Sequence, residues 1–319
     1  MKILAHVHGY PPTHNAGAEW MLHTMLRDLA RKGHEVTVLT GAGRLGWFYG
    51  GYFEGVLIRA EGSAERTLRH YLWADVVVTH LDRTQEACEN SQATGRPLVH
   101  IVHNPWTLQR WGVDPTRTAA VVFNSRWLQA EVSWPGKQVV IPPPVTPEDY
   151  LVEPVGDCIT LLNCNANKGA HRFYELARRM PEHRFLGVLG AYEHQVWPEA
   201  PLRNLQLLHH TQDPRWVYSL TRVLVMPSAF ESWGRTAIEA AASGIPTVAH
   251  PTPGLREALG SAGIFCDRED PEAWVAALRA LDDQEYYRQC SEKARKRSRE
   301  LDPRPDLDRF ERLLEEVRR

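Results

Sequence analysis

KILAHVHGYPPTHNAGAEWMLHTMLRDLARKGHEVTVLT, residues 2–40, is the stretch from which the fold is read. Residues 2–7 read as a buried strand, and a loop follows. Met21, Leu22, Met25, Leu26 and Leu29 then recur at spacings of three and four, the period of an amphipathic helix. Gly33 stops that helix, and residues 35–40 form a second apolar strand. A strand, a glycine-bearing loop, a helix and a strand make one βαβ unit. Outward from it, strands are expected at 56–59, 75–79, 98–102, 120–123 and 138–141. Most are continuous apolar runs, the pattern of strands covered on both faces, so the expected sheet is parallel.

The segment 142–154 holds prolines at 142, 143, 144, 147 and 154. It is stiff and cannot pair well in a sheet, so it marks a domain boundary. A second series follows, with strands near 159–162, 184–188, 205–208, 223–226 and 247–249 and helices near 170–179, 236–242 and 271–281. The expected fold class is α/β, with two doubly wound Rossmann-like domains facing each other across a cleft. They are placed at 1–146 and 147–303, with a terminal helix at 304–319, amphipathic over 306–317, packing back on the first.

Composition bounds the function. The 319 residues suit two domains of ordinary size. With 43% apolar and 24% charged residues the chain is globular rather than disordered or fibrous. A net charge of −2 gives no global attraction to nucleic acid or an anionic membrane. Cysteines at 88, 158, 164, 266 and 290 form no C-x-x-C pair and are odd in number, which suits reduced thiols and a cytoplasmic setting. The start, MKILAHVHGY, is too short an apolar run for a signal peptide, and no stretch of about 18 apolar residues suggests a transmembrane segment. Attachment to a membrane surface stays open, and the sequence is silent on oligomeric state.

The most informative chemistry lies in PSAFESWGRTAIEAAASGIPTVAHP, residues 227–251. Glu231 and Glu239 bracket Ser232, Trp233, Gly234, Arg235 and Thr236, and a helix follows. A helix N-terminus presents unpaired N–H groups and partial positive charge, which suits a phosphate. Gly234 lets the backbone approach closely. One glutamate could meet the sugar of a nucleotide-sugar and the other its ribose hydroxyls. Spacing alone equally allows a surface helix with two solvated glutamates.

This segment closely resembles the E-x7-E motif of retaining GT-B glycosyltransferases, glycosyltransferase family four. The resemblance runs nearly the whole chain in order. AGAE at 16–19 with RKGHEVTVLT at 31–40 looks like the family's Gly-Gly-Ala-Glu loop and following strand. VVIPPPV at 139–145 stands where the family has an Ile-Pro-Asn-Gly-Val type segment, and Asn167-Lys168-Gly169 looks like its Lys-Gly element.

The resemblance implies roles. Gly17 would lie in the loop that nears the donor diphosphate; its surroundings lack the full G-x-G-x-x-G of a nicotinamide site. Lys168 matches the basic residue that offsets charge on the departing diphosphate. Five residues upstream, where the family places Arg, this chain has Asn163, which donates a hydrogen bond but brings no charge. Arg235 is the candidate replacement cation. His103, ending a strand, matches a family histidine near the transferred sugar; His80 ends another strand and is the rival, while His100 reads as packing. Two loops are assigned to the acceptor side: 41–55, with six glycines and Trp47, Phe48, Tyr49, Tyr52 and Phe53, and 104–112, with Trp106 and Trp111. The alternative is that these aromatics plug the domain edge.

No metal is expected: the one clear D-x-D, Asp306-Leu307-Asp308, opens the terminal helix, and the cysteines lack ligand spacing. No cofactor is expected beyond the nucleoside-diphosphate sugar itself, with UDP favoured over GDP. The reading is a retaining, metal-independent hexosyltransferase-type enzyme acting on an acceptor hydroxyl. His103, Glu231 and Lys168 are its catalytic candidates. The acceptor is to be sought among glycans, lipids, proteins and nucleobases; the charge-balanced first domain gives modified DNA no special support. A sugar-nucleotide-binding protein without transferase activity is the rival, motivated by Asn163. An epimerase or phosphorylase on the same fold is a second.

Overall fold

The computed structural model describes residues 1–41, 50–110, 112–190 and 193–319. The chain divides into two compact units, Met1–Pro144 joined by Pro303–Arg319, and Val145–Asp302.

The first unit is built on an eight-stranded sheet. Its strands are β1 (Lys2–His6), β2 (Glu35–Thr40), β3 (Gly51–Phe53), β4 (Val56–Ala60), β5 (Val76–His80), β6 (Leu98–Val102), β7 (Ala120–Phe123) and β8 (Gln138–Val140). They run in the order β3-β4-β2-β1-β5-β6-β7-β8. All pairings are parallel except β3 with β4. The continuous apolar runs are the central strands, with β5, β6 and β7 buried throughout.

The segment 41–55, read as one acceptor loop, needs correcting where it is described. Residues 51–53 are a strand, turned back onto β4 through Glu54 and Gly55 at positive φ. Phe53 packs on the core and Tyr52 faces solvent. The terminal helix Arg304–Arg318 lays Leu307, Phe310, Leu313 and Leu314 into the same core as Met21, Leu22 and Met25. Spacings of three and four put those four side chains on one helical face. Lys32 holds Asp308 at 2.6 Å and Lys137 holds Glu316 at 2.6 Å, so these ion pairs tether the same helix.

The second unit carries β9 (Cys158–Leu162), β10 (Phe185–Val188), β11 (Leu205–Leu208), β12 (Thr221–Met226), β13 (Thr247–Ala249) and β14 (Gly263–Phe265). Their order is β11-β10-β9-β12-β13-β14, all parallel. This is the doubly wound order that reverses direction between its first and fourth strands. Ligands bind such sheets outside the carboxyl ends of the strands at the reversal. In this unit that point lies between the loops following β9 and β12. In the first unit it lies between those following β1 and β5.

Candidate functional site

In the second unit the loops after β9 and β12 are stitched together. Ala229 N donates to Asn167 O at 2.7 Å, and Asn167 Nδ2 donates to Phe230 O at 3.3 Å. Gly169 sits at φ +82, where a Cβ would come within 2.3 Å of Pro227 O, so only glycine allows this approach. Asn165 Oδ1 accepts from Lys168 N at 2.8 Å and shapes the turn that presents Lys168. The result is a contact at the switch point: Lys168 Nζ lies 2.5 Å from Glu231 Oε1, which also accepts from Ser228 Oγ at 2.9 Å.

Beyond Glu231 the chain passes half-buried Ser232 and buried Trp233 to Gly234, which caps the helix Arg235–Ala242 at φ +97. Inside that helix Arg235 and Glu239 are one turn apart and paired. Arg235 Nε donates to Glu239 Oε1 at 2.7 Å, and its guanidinium donates to Tyr150 OH at 2.8 Å. Tyr218 OH donates to Glu239 Oε2 at 2.7 Å. Burial pushes the Tyr218 phenol well up and the Glu239 carboxylate adds to it, so Tyr218 stays a donor. Burial works against the Arg235 charge, but Tyr150 and Glu239 outweigh it and hold the guanidinium protonated. Thr236 Oγ1 donates to Met226 Sδ at 3.9 Å.

These contacts remove the solvated-surface reading of the motif. Glu231 and Glu239 are 8% and 6% exposed, so neither is a solvated surface glutamate. Arg235, offered as a substitute cation for the diphosphate, is 7% exposed and committed to Glu239 and Tyr150. Here it positions Glu239. Asn163 follows β9 at φ +66, a left-handed conformation asparagine tolerates. Its Oδ1 accepts from Gln195 Nε2 at 3.1 Å.

In the first unit His103 follows β6 and His80 ends β5. The strands adjoin, and His80 Nδ1 meets His103 Nε2 at 3.0 Å, so the two rivals form one pair. Burial lowers the His103 pKa to about 3, and burial followed by His103 pushes His80 well below its usual value. Both imidazoles are neutral near pH 7 and act through hydrogen bonds. His100, read as packing, is buried with Nε2 2.9 Å from Thr84 Oγ1. Gly17 opens the helix Gly17–Arg31 and is exposed. Trp106 is 47% exposed; Trp47, Phe48, Tyr49 and Trp111 lie outside the described residues.

Sequence reasoning missed one arrangement. His8 beyond β1 and Glu19 in the Gly17–Arg31 helix come together with His80, and their ligand atoms all lie within 4.8 Å of one another. Glu19 had a signal in the AGAE run; His8 had none. The D-x-D pair is held by ion pairs, Asp306 with Arg309 at 2.9 Å and Asp308 with Lys32 at 2.6 Å.

Comparisons agree with this topology. Residues 15–149 match the family described as Glycosyltransferase Family 4, and residues 159–297 match Glycosyl transferases group 1. D-inositol 3-phosphate glycosyltransferase of Corynebacterium urealyticum is 45% identical over 67 residues, covering 20% of this chain and 16% of that protein. The enzyme of the same name from Corynebacterium diphtheriae is 39% identical over 113 residues, covering 32% and 26%. The matched stretch thus spans about a quarter or less of those relatives. Anabaena HepE in complex with UDP and glucose superposes with a TM-score of 0.77 at 16% identity, covering 99% of both chains. Sucrose-phosphate synthase from Thermosynechococcus elongatus gives 0.76 at 17%, again covering 99% of both. At such identities the structural likeness shows the fold alone, and that fold is GT-B.

Proposed function

Because the chain belongs to the family-4-type glycosyltransferases of GT-B fold, we propose that it transfers a hexosyl group from a nucleoside-diphosphate sugar to an acceptor hydroxyl with retention. One observation carries this: partly buried Lys168 meets buried Glu231 where the loops after β9 and β12 come together, and buried Glu239 lies in the helix that follows. In the reaction the bond from the anomeric carbon to the diphosphate oxygen breaks. A bond to the acceptor oxygen forms on the same face, and the hydroxyl proton passes to the departing diphosphate oxygen.

Lys168 and the N–H groups opening the Arg235–Ala242 helix meet the charge gathering on the diphosphate. When Lys168 turns to the phosphates, Glu231 is released to accept hydrogen bonds from sugar hydroxyls. Glu239, held by Arg235 and Tyr218, faces the ribose hydroxyls. Ser232, Trp233 and Thr236 line the same turn. Within the first unit, Gly17 and His103 are the proposed substrate contacts; a neutral imidazole there hydrogen-bonds a hydroxyl rather than removing its proton. The diphosphate charge is met without a metal ion, and UDP is the favoured nucleotide, since HepE, the pneumococcal O-GlcNAc transferase GtfA and S. aureus TarM, all of this fold, have structures in complex with it.

Calorimetry tests the assignment. UDP should bind the full chain with equal affinity with or without EDTA. Losing one charge-assisted contact costs roughly 1.5–3 kcal/mol, so Lys168→Ala should weaken UDP binding and slow transfer by at least about tenfold. Glu239→Gln should weaken donor binding more than it slows turnover at saturation. Turnover insensitive to Lys168→Ala would put the diphosphate elsewhere. Donor bound but never hydrolysed or transferred would favour the sugar-nucleotide-binding rival.

A further inference from the structure

His8, Glu19 and His80 are drawn from three separate parts of the first unit. His8 Nε2 lies 3.3 Å from Glu19 Oε1. That is the ligand-to-ligand edge of a tetrahedral ion with bonds of the usual zinc length, about 3.3 Å. His80 is completely buried, and its Nε2 has no hydrogen-bond partner among the described residues, while its Nδ1 faces His103. A buried polar atom left in that state is destabilising. A ligand at Nε2 removes that cost. Glu19 is 1% exposed, and a buried carboxylate calls for positive charge beside it. His14, 3.8 Å from Glu19 Oε1 and edge-on to the His8 ring, adds a further imidazole at the rim.

We propose that His8, Glu19 and His80 bind one divalent transition-metal ion of the zinc class. Two imidazole nitrogens and one carboxylate oxygen suit Zn²⁺, Co²⁺ or Ni²⁺, whereas Mg²⁺ and Ca²⁺ prefer all-oxygen sets. Three protein ligands leave a position for water or another ligand. With Nε2 of His80 on the ion, its Nδ1 carries the hydrogen and donates to His103 Nε2. This is the outer hydrogen bond that metal-binding histidines normally make. The ion thereby fixes the tautomer of His103, whose remaining N–H is then on Nδ1. His103 is a positioning residue toward the ion.

The test uses the full chain stripped with EDTA and dialysed free of it. Co²⁺ is titrated while visible d–d absorption is followed, and Zn²⁺ binding is measured by calorimetry. One equivalent should bind, with a tetrahedral-type cobalt spectrum. His8→Gln and Glu19→Gln should each weaken binding at least tenfold, and His103→Asn about tenfold through the outer hydrogen bond. His8 is partly exposed, so His8→Gln carries the test should the buried variants misfold. No binding to the wild-type chain would overturn the proposal. So would one-equivalent binding with affinity and spectrum unchanged in His8→Gln, which would place the ion on other histidines. Neither donor nor acceptor enters the titration, so its failure leaves the transfer reading standing.

Discussion

Asn163 is the residue at which the proposed donor site departs most from the family it resembles. The usual arginine would bring a second cation to the diphosphate. The structure removes the obvious substitute, because Arg235 is spent on Glu239 and Tyr150. Lys168 is therefore the cation the proposed site relies on, and adding a charge at 163 should help rather than crowd. The backbone opposes it: φ +66 suits asparagine, and a long side chain there costs roughly 1–2 kcal/mol. Asn163→Arg is expected to lower unfolding free energy by about that amount while tightening UDP binding by about tenfold or more, the value of one charge-assisted hydrogen bond. Unchanged or weaker UDP affinity in calorimetry, with the chain still folded, would show that the space near the phosphates is already filled.

At the scale of elements, Gly234 and Gly17 separate folding from ligand approach. Gly234 holds φ +97 at the start of the Arg235–Ala242 helix, and a Cβ there would come within 2.5 Å of Leu255 Cδ2. Gly234→Ala should cost about 1–3 kcal/mol of stability and misplace Glu239, read out by denaturant unfolding and UDP affinity together. Gly17 opens its helix, and a methyl group added there would meet nothing within 4 Å, so Gly17→Ala should leave unfolding unchanged. If it nonetheless weakens donor binding, the backbone at 17 approaches the ligand; a neutral result would leave it an ordinary helix-start glycine. The same scale shows what the sequence made legible. Buried parallel strands such as Val76–His80 and Leu98–Val102 declare themselves as apolar runs. The three-residue strands Gly51–Phe53 and Gly263–Phe265 do not, because their pairing is set by a neighbour rather than by their own pattern. The helices Thr84–Thr94 and Gln284–Glu300 are largely polar and carry only a narrow buried stripe. Within the site, the Glu231–Glu239 spacing was readable because one continuous run of sequence carries it. The His8, Glu19 and His80 grouping was not, because it exists only once β1 and β5 lie side by side.

For the molecule as a whole, the first unit depends on both ends of the chain and on histidines kept neutral inside it. Its core opens with β1 and is completed by the Arg304–Arg318 helix. Burial lowers His100 from 6.5 to about 3, with His103 adding to the shift. In metal-free protein His103 and His80 move in the same direction. Such groups bind protons in the unfolded chain before they do in the folded one. Stability therefore falls as pH drops below 6.5, and for His100 the loss continues toward 3. One such group costs up to about 1.4 kcal/mol per pH unit within that window. Carboxylates add their losses later. Glu54, held at about 2 chiefly by its hydrogen bond to His23, contributes stability above 4.5 that is lost only as pH falls from there toward 2. Destabilisation between 6.5 and 4.5 is thus the signature of the buried histidines. Hydrogen exchange of the peptide spanning Leu98–Val102, corrected for intrinsic rates, should show protection falling steadily across that window in EDTA-treated protein. His100→Asn should flatten the slope. Protection that stays level until carboxylates begin to titrate would mean that these imidazoles are not held neutral by the fold.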